Sequence, residues 1–307
     1  MTQVTLEKSK RQPGEQVSDQ TLRRVLIWPA IIFMIIVTQV PLLFTLNFSF
    51  QRWNMLNPAR RGYNNGENYI DIITDDSFWT IIQNTLVLTG SVVVITFILG
   101  LLFALLLNRD FPGRGIVRTM LITPFLIMPA VSGVLWKNVL LDPSFGFISS
   151  FVEGFGGGTP DFLGDFPMIS VIIVVVWQWM PFMMLILLAG LQSLNTDQIE
   201  AAQIDGANGW DILVNVVLPH LRRYIEIAVL MEILFILSVF GVIFIMTTGG
   251  PGIQTQNLSY AIYDEAFSER EIGDASTLGI YAIILANIVV AFFVQVLRRG
   301  AEEGVVE

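Results

Sequence analysis

The chain has 307 residues, 53% hydrophobic and only 14% charged, against about 25% charged in soluble domains, which excludes an ordinary soluble globular fold. A formal net charge of −9 with no basic stripe argues against a nucleic-acid partner, and zero Cys with one His removes disulfide frameworks, thiol catalysis and nearly all zinc chemistry. Gly156-Gly157-Gly158 runs into Thr159-Pro160 rather than Lys-Ser/Thr, so there is no phosphate-binding P-loop, and any ATP hydrolysis must come from another protein.

Residues 1–24 are polar and basic and are expected to form a tail. The apolar run 25–46 is too long for a signal-peptide core and no small-residue cleavage site follows, so it reads as an uncleaved first span. Residues 47–80 are polar, with Trp53, Tyr63, Tyr69 and Trp79, as expected of an exposed loop with interfacial aromatics. Five further runs, 81–107, 119–141, 169–191, 225–246 and 278–297, approach or exceed the roughly 20 residues a bilayer crossing needs. The small-residue pairs Gly100/Ala104 and Ala282/Ala286 would let helices approach closely. The fold expected is an all-α membrane protein with six transmembrane helices, a five-helix core over 81–297 and a short tail over 298–307.

Between the fourth and fifth of these spans, residues 192–223 form the one long polar island with helix signals of its own. Asp197 followed by Glu200 has capping-box spacing, Gln198 to Asp205 fits two helical turns, and Gly206 permits a sharp turn. Asp211 to Val217 then fits a second short helix that Pro219 would end. On spacing alone, Glu200 is equally the third residue of its own cap and Gly206 no more than a turn.

Lys and Arg set the orientation. With the N-terminus inside, twelve fall on the cytoplasmic side (Lys8, Lys10, Arg11, Arg23, Arg24, Arg109, Arg114, Arg118, Arg222, Arg223, Arg298, Arg299) against four outside (Arg52, Arg60, Arg61, Arg270). Both termini and the 192–223 loop are therefore expected in the cytoplasm. The outer loops are acidic, notably from Asp264 to Asp274.

Within the spans, Glu232 is the costliest residue, at about 2.5–3.5 kcal/mol for an acid at bilayer depth. Facing a water-filled cavity it would be cheap. Ile236 and Val239 fall on its helical face at i+4 and i+7. Lys137 sits near a span end, where its stem can snorkel to the interface. Glu226 reads as solvated or paired with Arg222 or Arg223.

The string Glu200-Ala201-Ala202, three residues, Gly206, then Val216-Val217-Leu218-Pro219 resembles the coupling loop of bacterial type I ABC-importer permeases, with Val216 where that family usually has isoleucine. Thr248-Gly249-Gly250-Pro251 with Tyr260 and Tyr263 is similar to an outer loop of carbohydrate-importing permeases. Trp53-Asn54, Trp136-Lys137-Asn138 and Trp177 to Phe182 look most like the sugar-alcohol (mannitol/sorbitol) branch.

The resemblance implies a second permease subunit as partner, a paralogue by analogy, two ATPase subunits that carry the ATP and Mg, and a periplasmic solute-binding protein. It places the chain in the bacterial inner membrane with no cofactor of its own. ATPase coupling would fall to Glu200, Ala201, Ala202, Asp205, Gly206, Leu218 and Pro219. The substrate path would fall to Phe125, Gln178, Trp179, Glu232, Ile236 and Val239, and the cargo would be a neutral sugar or polyol. Rival readings are another glycoside or glycerol derivative in the same kind of importer, a proton-coupled secondary transporter using Glu232, and a membrane-embedded enzyme. The secondary transporter would need inverted repeats, which the sequence lacks. The enzyme has no catalytic constellation to use.

Overall fold

The computed structural model describes residues 19–156, 158 and 160–303, and the chain divides into two units, 1–47 and 48–307. The expected 1–24 tail therefore lies mostly outside the described residues, as do 304–307. The first helix, Asp19–Ser49, contains the whole first expected span and carries Pro29 and Pro41 inside it. The hydroxyls of Thr38 and Thr45 donate back to the carbonyls of Met34 (2.8 Å) and Pro41 (3.1 Å). Such back-bonding lets hydroxyl side chains sit in an apolar helix without an unmet polar atom.

The segment expected as an exposed loop over 47–80 is folded. Gln51–Arg52 pairs antiparallel with Gly62–Tyr63, and the helix Glu67–Thr74 follows. Asn68 is buried because it answers backbone groups the short strand cannot: its Nδ2 donates to the carbonyls of Ser49 (3.1 Å) and Gln51 (3.0 Å), and its Oδ1 accepts from Asn64. Trp53 lies under the Arg61 guanidinium at 3.8 Å, and Asn54 bonds Glu271 at the start of the last helix. Asn54 and Glu271 lie 217 residues apart, so local propensity could not announce that contact.

Two long helices, Asp76–Leu107 and Pro167–Gln192, form the centre, and Leu218–Leu237 packs on both. The main cores collect Met183, Met184, Leu187 and Leu221 towards one end and Val92, Val171, Val175 and Ile236 towards the other. Gly100 sits at the tightest point of the central pair: a Cβ there would meet Met183 Cγ at 2.8 Å and the Met184 backbone nitrogen at 3.0 Å. Ala104, one turn on, is fully buried, so this small-residue pair is a packing seam as its spacing implies.

The third and fifth expected spans are interrupted. Arg114–Leu126 and Pro129–Leu140 meet at a 102° bend. Pro129 pushes Met128 out of the helical region, and Ile127 is extended too (ψ 134° and 135°). The fifth helix stops at Leu237, and a short helix, Gly241–Met246, begins after a three-residue break. Among the described residues, four helices are long and apolar enough to cross a membrane, and the bent pair makes a fifth. The Leu218–Leu237 helix would be the sixth, but it holds Arg222, Arg223, Glu226 and Glu232.

Acidic residues gather where the last helix begins, at the opposite end of Asp76–Leu107 from the 192–223 loop. Burial, reinforced by Asp274, Glu269, Asp264 and Glu271, pushes the Glu265 carboxyl up to about 7. The folded state thus favours its protonated form. That contribution is complete below the ordinary value near 4.5 and is lost as pH rises through about 7. Amide protection over 258–275, taken relative to the intrinsic base-catalysed exchange rate, is expected to fall between about pH 5 and pH 8, and Glu265→Gln to flatten that fall. Equal pH dependence in the variant would place its cause elsewhere.

Candidate functional site

The polar island folds as a helical hairpin. Asn195, not Asp197, caps the first helix: its side chain accepts from the Asp197 backbone N–H at 3.0 Å, and the helix runs Thr196–Ile204. Asp197 then sits in the first turn, where a carboxylate favours the helix dipole. Asp205 closes the helix and Gly206 takes φ +85°, a left-handed turn that a side chain would disfavour. Asn208 and Asp211 form a capping box at 3.0 and 3.1 Å that starts Gly209–Ile212.

Pro219 does not end this second helix. The chain passes through a wider π turn, Leu213–Val217, directly into Leu218–Leu237, with Pro219 in its first turn. A proline contributes no N–H and crowds the preceding turn, which a π turn relieves.

Glu200, Ala201, Asp205, Gly206 and Pro219 are exposed, and Ala202 and Leu218 half-buried. Ile204 (86% exposed) and Trp210 (71%) stand uncovered beside the turn. In the sequence each is one apolar residue among many, with no spacing that marks it. Large apolar groups on so polar a tip are the mark of a surface that another protein covers. Behind the hairpin lies a cavity of about 540 Å³ lined by Leu105, Asn108, Arg109, Leu191, Ile199 and Leu213 among others.

The six expected path residues do not form one surface. Phe125 and Trp179 come together at 5.6 Å, and Trp179 stacks on Phe235 at 5.0 Å. Phe182 completes the group, 5.8 Å from Phe125 and 5.9 Å from Trp179, where its i+3 spacing from Trp179 could have placed it. These rings are partly exposed. Gln178, by contrast, is buried and donates to the Ile127 carbonyl at 2.8 Å, holding the bend. Ile236 is fully buried in the core, and Val239 lies beyond the helix end, so the expected i+7 face is not formed.

Glu232 is fully buried and neither carboxylate oxygen finds a hydrogen-bond partner among the described residues. The neighbouring Thr96 hydroxyl donates instead to the Val92 carbonyl at 2.8 Å. Lys137 does not reach for an interface: its Nζ donates to the Ile245 carbonyl at 3.1 Å. Glu226 pairs with Arg222 at 3.1 Å, as its spacing suggests.

Interrupted apolar helices around a close-packed central pair, with a polar hairpin between two of them, are the architecture of a type I ABC-importer permease. The chain belongs to the family of binding-protein-dependent transport system inner membrane components, whose model matches residues 96–303. It is 35% identical to the probable ABC transporter permease protein y4oQ of Sinorhizobium fredii, over 95% of this chain and 97% of that protein. It is 30% identical to the trehalose transport system permease protein SugA of Mycobacterium tuberculosis, over 95% and 93%. Its fold matches a permease chain in the crystal structure of a bacterial ABC transporter involved in import of the acidic polysaccharide alginate, with TM-score 0.78, 23% identity, and 93% and 99% coverage.

Proposed function

We propose that this chain forms half of the pathway of an ATP-driven importer for a neutral sugar or sugar alcohol. A second permease, a paralogue, supplies the other half. Two ATPase subunits hold the ATP and Mg²⁺, and an external binding protein delivers the cargo. The observation that carries the reading is the uncovered hairpin Thr196–Ile212, with Glu200 and Ala201 exposed beside Ile204 and Trp210. Its place in the cytoplasm rests on the distribution of Lys and Arg. A rigid two-state bundle gripped at that hairpin converts closure of the ATPases into alternating access.

The sugar class rests on the name of the trehalose relative and on the Phe125–Trp179–Phe182–Phe235 group, whose ring faces suit the C–H face of a sugar. With Glu232 and Ile236 turned into the bundle, this chain offers mainly aromatic surface and the partner permease holds the hydroxyls.

Uptake of labelled trehalose and mannitol into vesicles holding the four-subunit complex and its binding protein tests the proposal. ATP-dependent uptake of either is expected. Uptake by this chain alone on a proton gradient would favour a secondary transporter working through Glu232.

A further inference from the structure

A break in an apolar helix frees backbone carbonyls at a depth where water cannot serve them, so each must find a donor within the protein. Both breaks are served from other elements. Ile127 O accepts from Gln178, Leu237 O from Ser259 Oγ at 3.0 Å, and Val239 O from Asn257 Nδ2 at 2.6 Å. The half-helices that follow the two breaks, Pro129–Leu140 and Gly241–Met246, also lie against each other. A Cβ at Gly133 would stand 3.0 Å from Ile245 Cβ, and one at Gly241 would stand 3.3 Å from Pro129 Cβ. Trp136, Val242, Ile243 and Met246 share one apolar cluster across the contact.

Lys137 ties this pair together. Its ammonium has no carboxylate within ion-pair distance among the described residues, and it bonds the Ile245 carbonyl in the last turn of Gly241–Met246. The last carbonyls of a helix have no helical donor and carry its negative dipole end, so a cation is held there by both hydrogen bond and field.

We infer that Lys137 is a positioning residue that hooks the two half-helices into a single gate body, which moves as a unit against the long helices during transport. The alternative is two independent hinges that part in each cycle. The inference rests on the importer reading above.

The chain has no Cys, so a Gly133→Cys/Ile245→Cys pair can be oxidised without competition from its own residues. In the assembled complex in vesicles, the oxidised pair is expected to keep at least about half the uptake of the reduced pair, as a body that never parts requires. Loss of about tenfold on oxidation, restored by reductant, would overturn the hook. Lys137→Met is expected to raise ATP hydrolysed per cargo molecule about fivefold with the amount of assembled complex unchanged, and Lys137→Arg to restore it. An unchanged ratio in Lys137→Met, or no recovery in Lys137→Arg, also sinks the inference. If the double-Cys chain does not assemble, the Lys137 pair decides. Absence of ATP-driven uptake in the unsubstituted complex counts instead against the importer reading.

Discussion

Glu200→Lys is expected to cut ATP-driven uptake by about 100-fold or more while the complex still assembles. Glu200 is exposed on the hairpin helix, and its side chain has no hydrogen bond or ion pair within the chain among the described residues. Changing such a side chain moves the stability of the chain itself by less than about 0.5 kcal/mol. The cost arises only once an ATPase covers the hairpin. Disrupting one side of a desolvated charged contact costs about 2–5 kcal/mol, and 2.7 kcal/mol is already a factor of about 100. Glu200→Gln keeps the shape and some hydrogen bonding, so it should fall between. The check is uptake and ATP hydrolysis in vesicles beside the melting temperature of the purified chain. Wild-type uptake by the lysine variant would mean that the hairpin is not the handle.

What could be read from the sequence was whatever depends on neighbours within a few turns. The hairpin was legible in outline because its polar helix, the Gly206 turn and the exposed carboxylate lie within about twenty residues of one another. Its caps were not, since Asn195 rather than Asp197 starts the first helix and Pro219 does not end the second. Gly100 and Ala104 were legible as a seam because the same helical face repeats every fourth residue. The breaks were not. Pro129 hides in an unbroken apolar run, where hydropathy sees only another span. The stop at Leu237 has no proline at all and depends on Asn257 and Ser259, about twenty residues on, to take up its carbonyls. Val239 was misplaced for that reason alone: the helix that would have carried it round to Glu232 ends before reaching it. Gln178 reads as a polar group in a pathway until Ile127 is known to need a donor. The folded segment after the first helix was hidden in the same way, since Asn54 and Glu271 meet across 217 residues of chain.

The largest effect on folding is expected from Gly100→Val. A single Cβ at this position already falls 2.8 Å from Met183 Cγ and 3.0 Å from the Met184 backbone nitrogen, and valine adds two methyls beyond it. Met183 could swing a flexible end away, but it is fully buried among Leu187, Leu188 and Ala104, and the Met184 backbone cannot move without its helix. The two long helices must therefore separate, loosening the contact on which Leu218–Leu237 also packs. Overpacking a tight core costs about 1–3 kcal/mol, and contact with backbone puts this site at or above the upper figure. A loss near 3 kcal/mol would lower the melting temperature by roughly 6–12 °C, and the yield of monodisperse chain should fall with it. Gly90 on the same helix is the control. Nothing lies within 4 Å of a Cβ there, so Gly90→Ala should be neutral or stabilising by up to about 1 kcal/mol through helix propensity. Equal melting temperatures for Gly100→Val and Gly90→Ala would show that the central helices do not approach as closely as this seam requires.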